Sequence, residues 1–103
     1  MNDGASHAAA DAEIGTVRRT LQITNKRGLH ARAAAKFVTM AERFGASVDV
    51  IHNGQDVSAR SIMGLMMLAA SMGSEVEITT EGPDAAEAMK AVLALVEAKF
   101  GEE

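Results

Sequence analysis

The sequence predicts an α+β fold, a two-layer open-faced sandwich in which a four-stranded antiparallel sheet carries three helices on one face. Three observations point to it. The hydrophobic period switches between two and 3.6 residues along the chain, in the order strand, helix, strand, strand, helix, strand, helix (βαββαβα). Asn53-Gly54 separates two alternating runs and marks a tight hairpin, because both residues accept positive φ. Each element has a single apolar face, so one side of the sheet is covered and the other is left to water.

The first strand is Thr16 to Thr24, where Val17, Leu21 and Ile23 alternate with polar residues. Asn25-Lys26-Arg27-Gly28 is a loop. From Ala31 the period becomes helical: Ala34, Phe37, Val38, Ala41 and Phe44 share one face, Gly45 is placed for a left-handed C-cap, and His30 falls at the N-cap. Ala46 to His52 is the second strand and residues 55 to 59 the third. Ser61 opens a short helix with Ile62, Leu65, Met66, Leu68 and Ala69 as its apolar set, and Gly73 closes that unit. Glu75 to Thr80 alternates again. Gly82-Pro83 breaks it, Asp84 and Glu87 form a capping box, and a stripe from Ala85 through Val96 predicts a last helix reaching about Lys99.

The 103 residues suit one domain, here 16–103, preceded by a tail. Residues 1–15 are mostly Ala, Asp, Gly and Ser and hold too little apolar surface to offset their ordering entropy, so a disordered extension is expected. With no cysteine, disulfides, thiolate ligands and cysteine nucleophiles are excluded. No apolar run approaches a membrane span, and the first fifteen residues lack the basic and apolar regions of a secretory signal, so a cytoplasmic protein without membrane contact is expected. A net charge of −4 and an aromatic set of three phenylalanines weigh against nucleic-acid binding. The charge is uneven: residues 16–60 hold eight Lys/Arg against three Asp/Glu, and residues 61–103 hold two against eight. That asymmetry suggests an anionic ligand or partner for the first half.

Three histidines are the candidates for chemistry. His7 lies in the tail and His52 beside the hairpin, neither with a metal-ligand partner at useful spacing, so no metal is expected. His30 stands where a loop becomes a helix. The unpaired backbone N–H groups of Ala31, Arg32 and Ala33 and the helix dipole make that end an anion site, with Lys26, Arg27 and Arg32 nearby. A neutral imidazole nitrogen there can accept a phosphoryl group and hand it on. The residues alone leave two readings open, a phosphoryl acceptor and a plain helix cap.

Gly28-Leu29-His30-Ala31-Arg32-Ala33-Ala34 closely resembles the active-site signature GLHARPA of HPr, the histidine-containing phosphocarrier of the bacterial phosphoenolpyruvate-dependent phosphotransferase system. Ser61-Ile62-Met63-Gly64-Leu65-Met66-Met67-Leu68 resembles the regulatory-serine segment of the same family and looks most like its nitrogen-branch, NPr-like members. The likeness runs from about residue 16 to 100. It implies a sheet order of 1-4-2-3, phosphorylation of His30 at Nδ1, neutralisation and orientation of the phosphoryl group by Arg32, and regulatory phosphorylation of Ser61 by HPr kinase/phosphorylase. It implies Enzyme I as donor, Enzyme IIA-type proteins as acceptors, no cofactor, and a monomer that is a carrier rather than an enzyme. The family's proline is Ala33 here, which restores a backbone N–H and loosens the first helical turn. That change should alter rate or partner preference while leaving the phosphate contacts in place.

The short second helix has more apolar surface than one buried stripe uses. Leu65 and Leu68 are expected in the core, with Ile62, Met63, Met66 and Met67 available as an adaptable partner surface. Two rivals stand beside the carrier: a regulatory binding module of the same fold controlled mainly at Ser61, and an RNA- or ligand-binding split βαβ domain of ferredoxin-like type.

Overall fold

The computed structural model describes residues 15–102. Strands β1 (Thr16–Gln22), β2 (Ser47–His52), β3 (Gln55–Ser58) and β4 (Glu75–Glu81) form one sheet in the order β1-β4-β2-β3, every pairing antiparallel. Helices α1 (Ala31–Ala41), α2 (Ile62–Met67) and α3 (Ala85–Glu97) cover one face, and a 3₁₀ turn, Lys99–Gly101, ends the chain's regular structure. This is the predicted architecture and the sheet order implied by the resemblance. The expected disordered tail lies outside the described residues except Gly15, whose carbonyl accepts from Gly82 N–H at 2.8 Å.

The period-two pattern divides the sheet as expected. Val48, Val50, Val76, Ile78 and Thr80 point under the helices and are buried. They meet Phe37 and Met40 of α1, Leu65 of α2, and Ala88, Met89, Val92 and Val96 of α3 in one core. Thr80 hides its hydroxyl there by donating to the Ala85 carbonyl at 2.8 Å. On the other face stand Asp49, Asp56, Glu75, Glu77 and Glu81, and burial together with the charges of Asp56 and Glu81 raises the Asp49 carboxyl above the ordinary range.

Three helix-end expectations are corrected. First, α1 stops at Ala41 rather than Phe44, and Gly45 is not its left-handed cap. The Arg60 guanidinium instead donates to the Ala41 and Phe44 carbonyls at 3.0 and 2.9 Å, satisfying the helix end from outside. Second, Asp84 and Glu87 do not form a capping box. The Asp84 carboxylate accepts from Gly45 N–H at 2.7 Å, so it ties α3 to the end of α1 rather than capping its own helix. Third, α3 ends at Glu97 instead of continuing to Lys99. Lys99 and Phe100 both turn left-handed, with φ of 55° and 58°, and fold the chain back over α1. Burial of Phe100 explains the reversal: its ring packs on Phe37, centroids 6.1 Å apart, and Lys36 Nζ donates to its carbonyl at 2.7 Å.

Candidate functional site

The segment between β1 and α1 is built to hold one side chain at a helix start. Ile23 is buried and anchors the end of β1 through its N–H to Ser74 O at 2.8 Å. Asn25 is buried next to it, and its amide donates to the Gly28 carbonyl at 2.9 Å. Gly28 turns left-handed, φ 64°, and Leu29 is buried with its N–H on the Ala70 carbonyl at 3.0 Å. His30 follows with extended backbone as the N-cap of α1, and its carbonyl accepts the first helical bond, from Ala34 N–H at 2.8 Å. The N–H groups of Ala31, Arg32 and Ala33 therefore precede the helix's own bonding. Ala31 and Arg32 are exposed, whereas Ala33 is fully buried.

The imidazole does not cap the helix. Its Nε2 bonds the carboxylate of Glu102, which the backward fold after α3 brings across from the far end of the chain. The other Glu102 oxygen accepts from the Asn25 amide at 3.0 Å. These two hydrogen bonds, helped by the positive charge of Arg27, hold the Glu102 carboxyl below its usual value of 4.5. An ionised carboxylate only accepts, so His30 Nε2 carries the proton, and in the neutral ring Nδ1 carries the lone pair. The ring borders a depression of about 300 Å³ also lined by Lys26, Arg27, Arg32, Lys99 and Glu102. Four cations face one carboxylate there, which suits a dianionic group next to the imidazole.

The expected cluster of Lys26, Arg27, His30 and Arg32 is thus brought together. Glu102, Asn25 and Lys99 are site residues that sequence reasoning missed. Glu102 lies 72 positions from His30 and Asn25 lies 77 from Glu102, so no spacing rule connects them. One signal was available: Phe100-Gly101, an apolar residue and a glycine beyond the last helical stripe, marks chain that is still held to the core.

Ser61 lies at the start of α2, exposed, with Oγ accepting from Gly64 N–H at 2.9 Å. Replacing Ser61 with alanine is expected to lower stability by about 1 kcal/mol through loss of this cap. Thermal unfolding should read that as a fall in Tm of about 4–8 °C. Ile62, Met63, Met66 and Met67 are all exposed, while Leu65 and Leu68 are buried as expected. Met72, which sequence reasoning did not single out, is exposed on the same segment. That segment is tied to the His30 loop through Leu29 and Ala70. His52 sits at the hairpin with Nδ1 3.1 Å from the Glu75 carbonyl. Among the described residues no three His, Cys, Asp or Glu side chains gather as a metal site requires, and no helix is long and apolar enough to cross a membrane.

Residues 17–98 match the family model described as the PTS HPr component phosphorylation site. The chain is 52% identical over 86 residues to the phosphocarrier protein HPr of Cupriavidus necator, covering 84% of this chain and 97% of that protein. It is 42% identical over 86 residues to the phosphocarrier protein NPr of Shewanella violacea, covering 84% of this chain and 94% of that one. Among solved structures it is similar to HPr-C-His from Thermoanaerobacter tengcongensis, with a TM-score of 0.81 and 47% identity over 84% of this chain and 98% of that one.

Proposed function

Since the chain belongs to the HPr family of phosphotransferase-system components, we propose that it carries a phosphoryl group on Nδ1 of His30, taken from phospho-Enzyme I and passed to a histidine of an Enzyme IIA-type protein. The observation that carries this reading is the arrangement of the ring. Glu102 occupies Nε2, which leaves Nδ1 as the ring nitrogen available to act as nucleophile, and the ring borders a cationic depression. The Nδ1 lone pair attacks phosphorus, the donor's bond to phosphorus breaks, and the donor keeps that electron pair. The His30 ring, still protonated at Nε2, becomes cationic, and Glu102 lies opposite that charge. Arg32 and the exposed N–H groups at the start of α1 meet the phosphoryl oxygens. The reverse step loads the acceptor, so the site must bind the phosphoryl group without trapping it.

The exposed face of α2 with Met72 is the surface on which donor and acceptor dock in turn. It is apolar, adjustable and held beside His30. Ser61 lies on the same surface, and phosphorylation there by HPr kinase/phosphorylase would add about −2 charge to it and repel acidic partners. We place the protein in the cytoplasm and take it to act as a monomer.

The test is phosphoryl transfer from phosphoenolpyruvate by purified Enzyme I to the wild-type chain and to His30→Ala. Acid-labile, alkali-stable label on the wild type and none on the variant is the expected result. Equal label on both would reject His30 as the acceptor. No label on either, with folded protein and active Enzyme I from the same organism, would favour the module controlled through Ser61, whose exposed hydroxyl is the observation behind that second reading.

A further inference from the structure

Among the described residues the methionines are sorted by depth. Met63, Met67 and Met72 keep 68%, 69% and 56% of their surface in solvent and Met66 keeps 40%, whereas Met40 and Met89 keep 7% and 3%. Among the described residues, all four exposed thioethers lie within 62–72, on α2 and the loop after it, where only Leu65, Leu68 and Ala70 reach the core. Leu65 and Leu68 are the large apolar side chains buried in this segment, and its methionines, with Ile62, are the exposed ones. An apolar docking surface can be made from either side chain, but only methionine brings a sulfur that oxidants reach. The segment also abuts the phosphate-site loop. Leu29 N–H bonds Ala70 O at 3.0 Å, and a Cβ on Gly28 would lie 2.4 Å from that same oxygen.

We infer that this cluster is an oxidation-sensitive site: peroxide-class oxidants convert Met63, Met66, Met67 and Met72 to sulfoxides, and this uncouples the carrier from its protein partners while His30 chemistry persists. The inference rests on the docking role proposed above for this surface. In each event the peroxide O–O bond breaks and one oxygen is transferred to sulfur as S=O. The sulfur gives up two electrons, and the other peroxide oxygen leaves as water. The product side chain is polar and carries a strong acceptor, so a partner surface that accommodates a thioether meets an unpaired polar group instead. The core is spared because its two described methionines are covered. Methionine sulfoxide reductases reverse the change, so the surface can be switched off and restored.

The test treats the full chain with hydrogen peroxide and maps oxidised residues by peptide mass. Transfer from phospho-Enzyme I is then compared with phosphorylation by phosphoramidate, a small donor that needs no docking surface. Oxidation of Met63, Met66, Met67 and Met72 ahead of Met40 and Met89 is expected. Transfer from phospho-Enzyme I should fall by about tenfold, the change produced by about 1.4 kcal/mol of lost docking energy. Phosphoramidate labelling should stay constant, and methionine sulfoxide reductases with reductant should restore transfer. A chain carrying Met63→Leu, Met66→Leu, Met67→Leu and Met72→Leu should show no change relative to its own untreated rate. If phosphoramidate labelling falls in parallel, or Met40 and Met89 oxidise as fast, the inference is overturned. Met63→Glu separates the two levels of the argument. If it slows transfer from phospho-Enzyme I and peroxide does not, the docking role stands and the oxidation site is rejected. If neither slows it, the docking role fails and the inference fails with it.

Discussion

Replacing Gly28 with alanine is expected to destabilise the protein by about 2–4 kcal/mol and to disturb the proposed phosphate site together with the fold. Two costs coincide there. The backbone is left-handed, φ 64°, which a residue with a Cβ adopts at a cost of roughly 1–2 kcal/mol. The added carbon would also lie 2.4 Å from the Ala70 carbonyl oxygen and 2.8 Å from the Ser71 Cα. Both are backbone atoms, so neither neighbour can rotate away. The loop must move, and it holds the Leu29–Ala70 hydrogen bond, the Asn25–Gly28 hydrogen bond and the start of α1. For a domain of this size the loss corresponds to a Tm lower by roughly 10–30 °C, readable by calorimetry. Gly54→Ala is the contrast. Its φ of 80° brings the same conformational cost, but a Cβ there meets nothing within 4 Å. Its Tm should fall by about half as much, and equal losses at the two positions would show that the close approach to Ala70 is unimportant.

The contrast also shows which parts of the molecule the sequence makes legible. Strand and helix identities follow from local rules, because period and turn chemistry are properties of neighbouring residues: Val48 and Val50 alternate, Asn53-Gly54 turns, and Phe37 and Ala41 line one helix face. The positions of His30, Arg32 and Ser61 at helix starts were legible because a helix start is itself a local feature. The errors fall where satisfaction is long-range. The end of α1 is closed by Arg60, from the other side of a hairpin, rather than by Gly45. Asp84 looks like a cap by position, yet its carboxylate has a better partner in the Gly45 N–H. The chain after Glu97 reads as continuing helix because Lys99 and Phe100 have no aversion to helix. Only the space beside Phe37, created by the whole fold, draws Phe100 inward and bends the backbone into a left-handed path. Glu102 reaches the site by that route, so its role could not be read before its neighbours were known.

Glu102 is where the largest effect on chemistry outside His30 itself is expected. Glu102→Gln keeps the length of the side chain and removes its charge. It should lower the rate of phosphoryl transfer to His30 by on the order of tenfold, with little change in the far-ultraviolet spectrum. Two effects act in the same direction. A carboxylate compels the proton onto Nε2 and so leaves the lone pair on Nδ1, whereas an amide can turn its NH₂ toward the ring and favour the other tautomer. The cationic ring formed on phosphorylation also loses the negative charge beside Nε2. The hook that presents this carboxylate holds two non-glycine residues at positive φ, a conformation that persists only because Phe100 burial and the Lys36 hydrogen bond over-determine it. The pH dependence has a definite sign. The Glu102 carboxyl is held below 4.5 by His30 and Asn25, so the contribution of the closed hook is complete above about pH 4.5. It is lost as the pH falls through the lower value of the folded protein. Carboxyl resonances followed by NMR should therefore give Glu102 a midpoint under 4.5 in the wild type, returning toward 4.5 in His30→Ala. A wild-type midpoint at or above 4.5, or a Glu102→Gln chain that transfers phosphate at the wild-type rate, would leave the hook as a packing device with no part in orienting the imidazole.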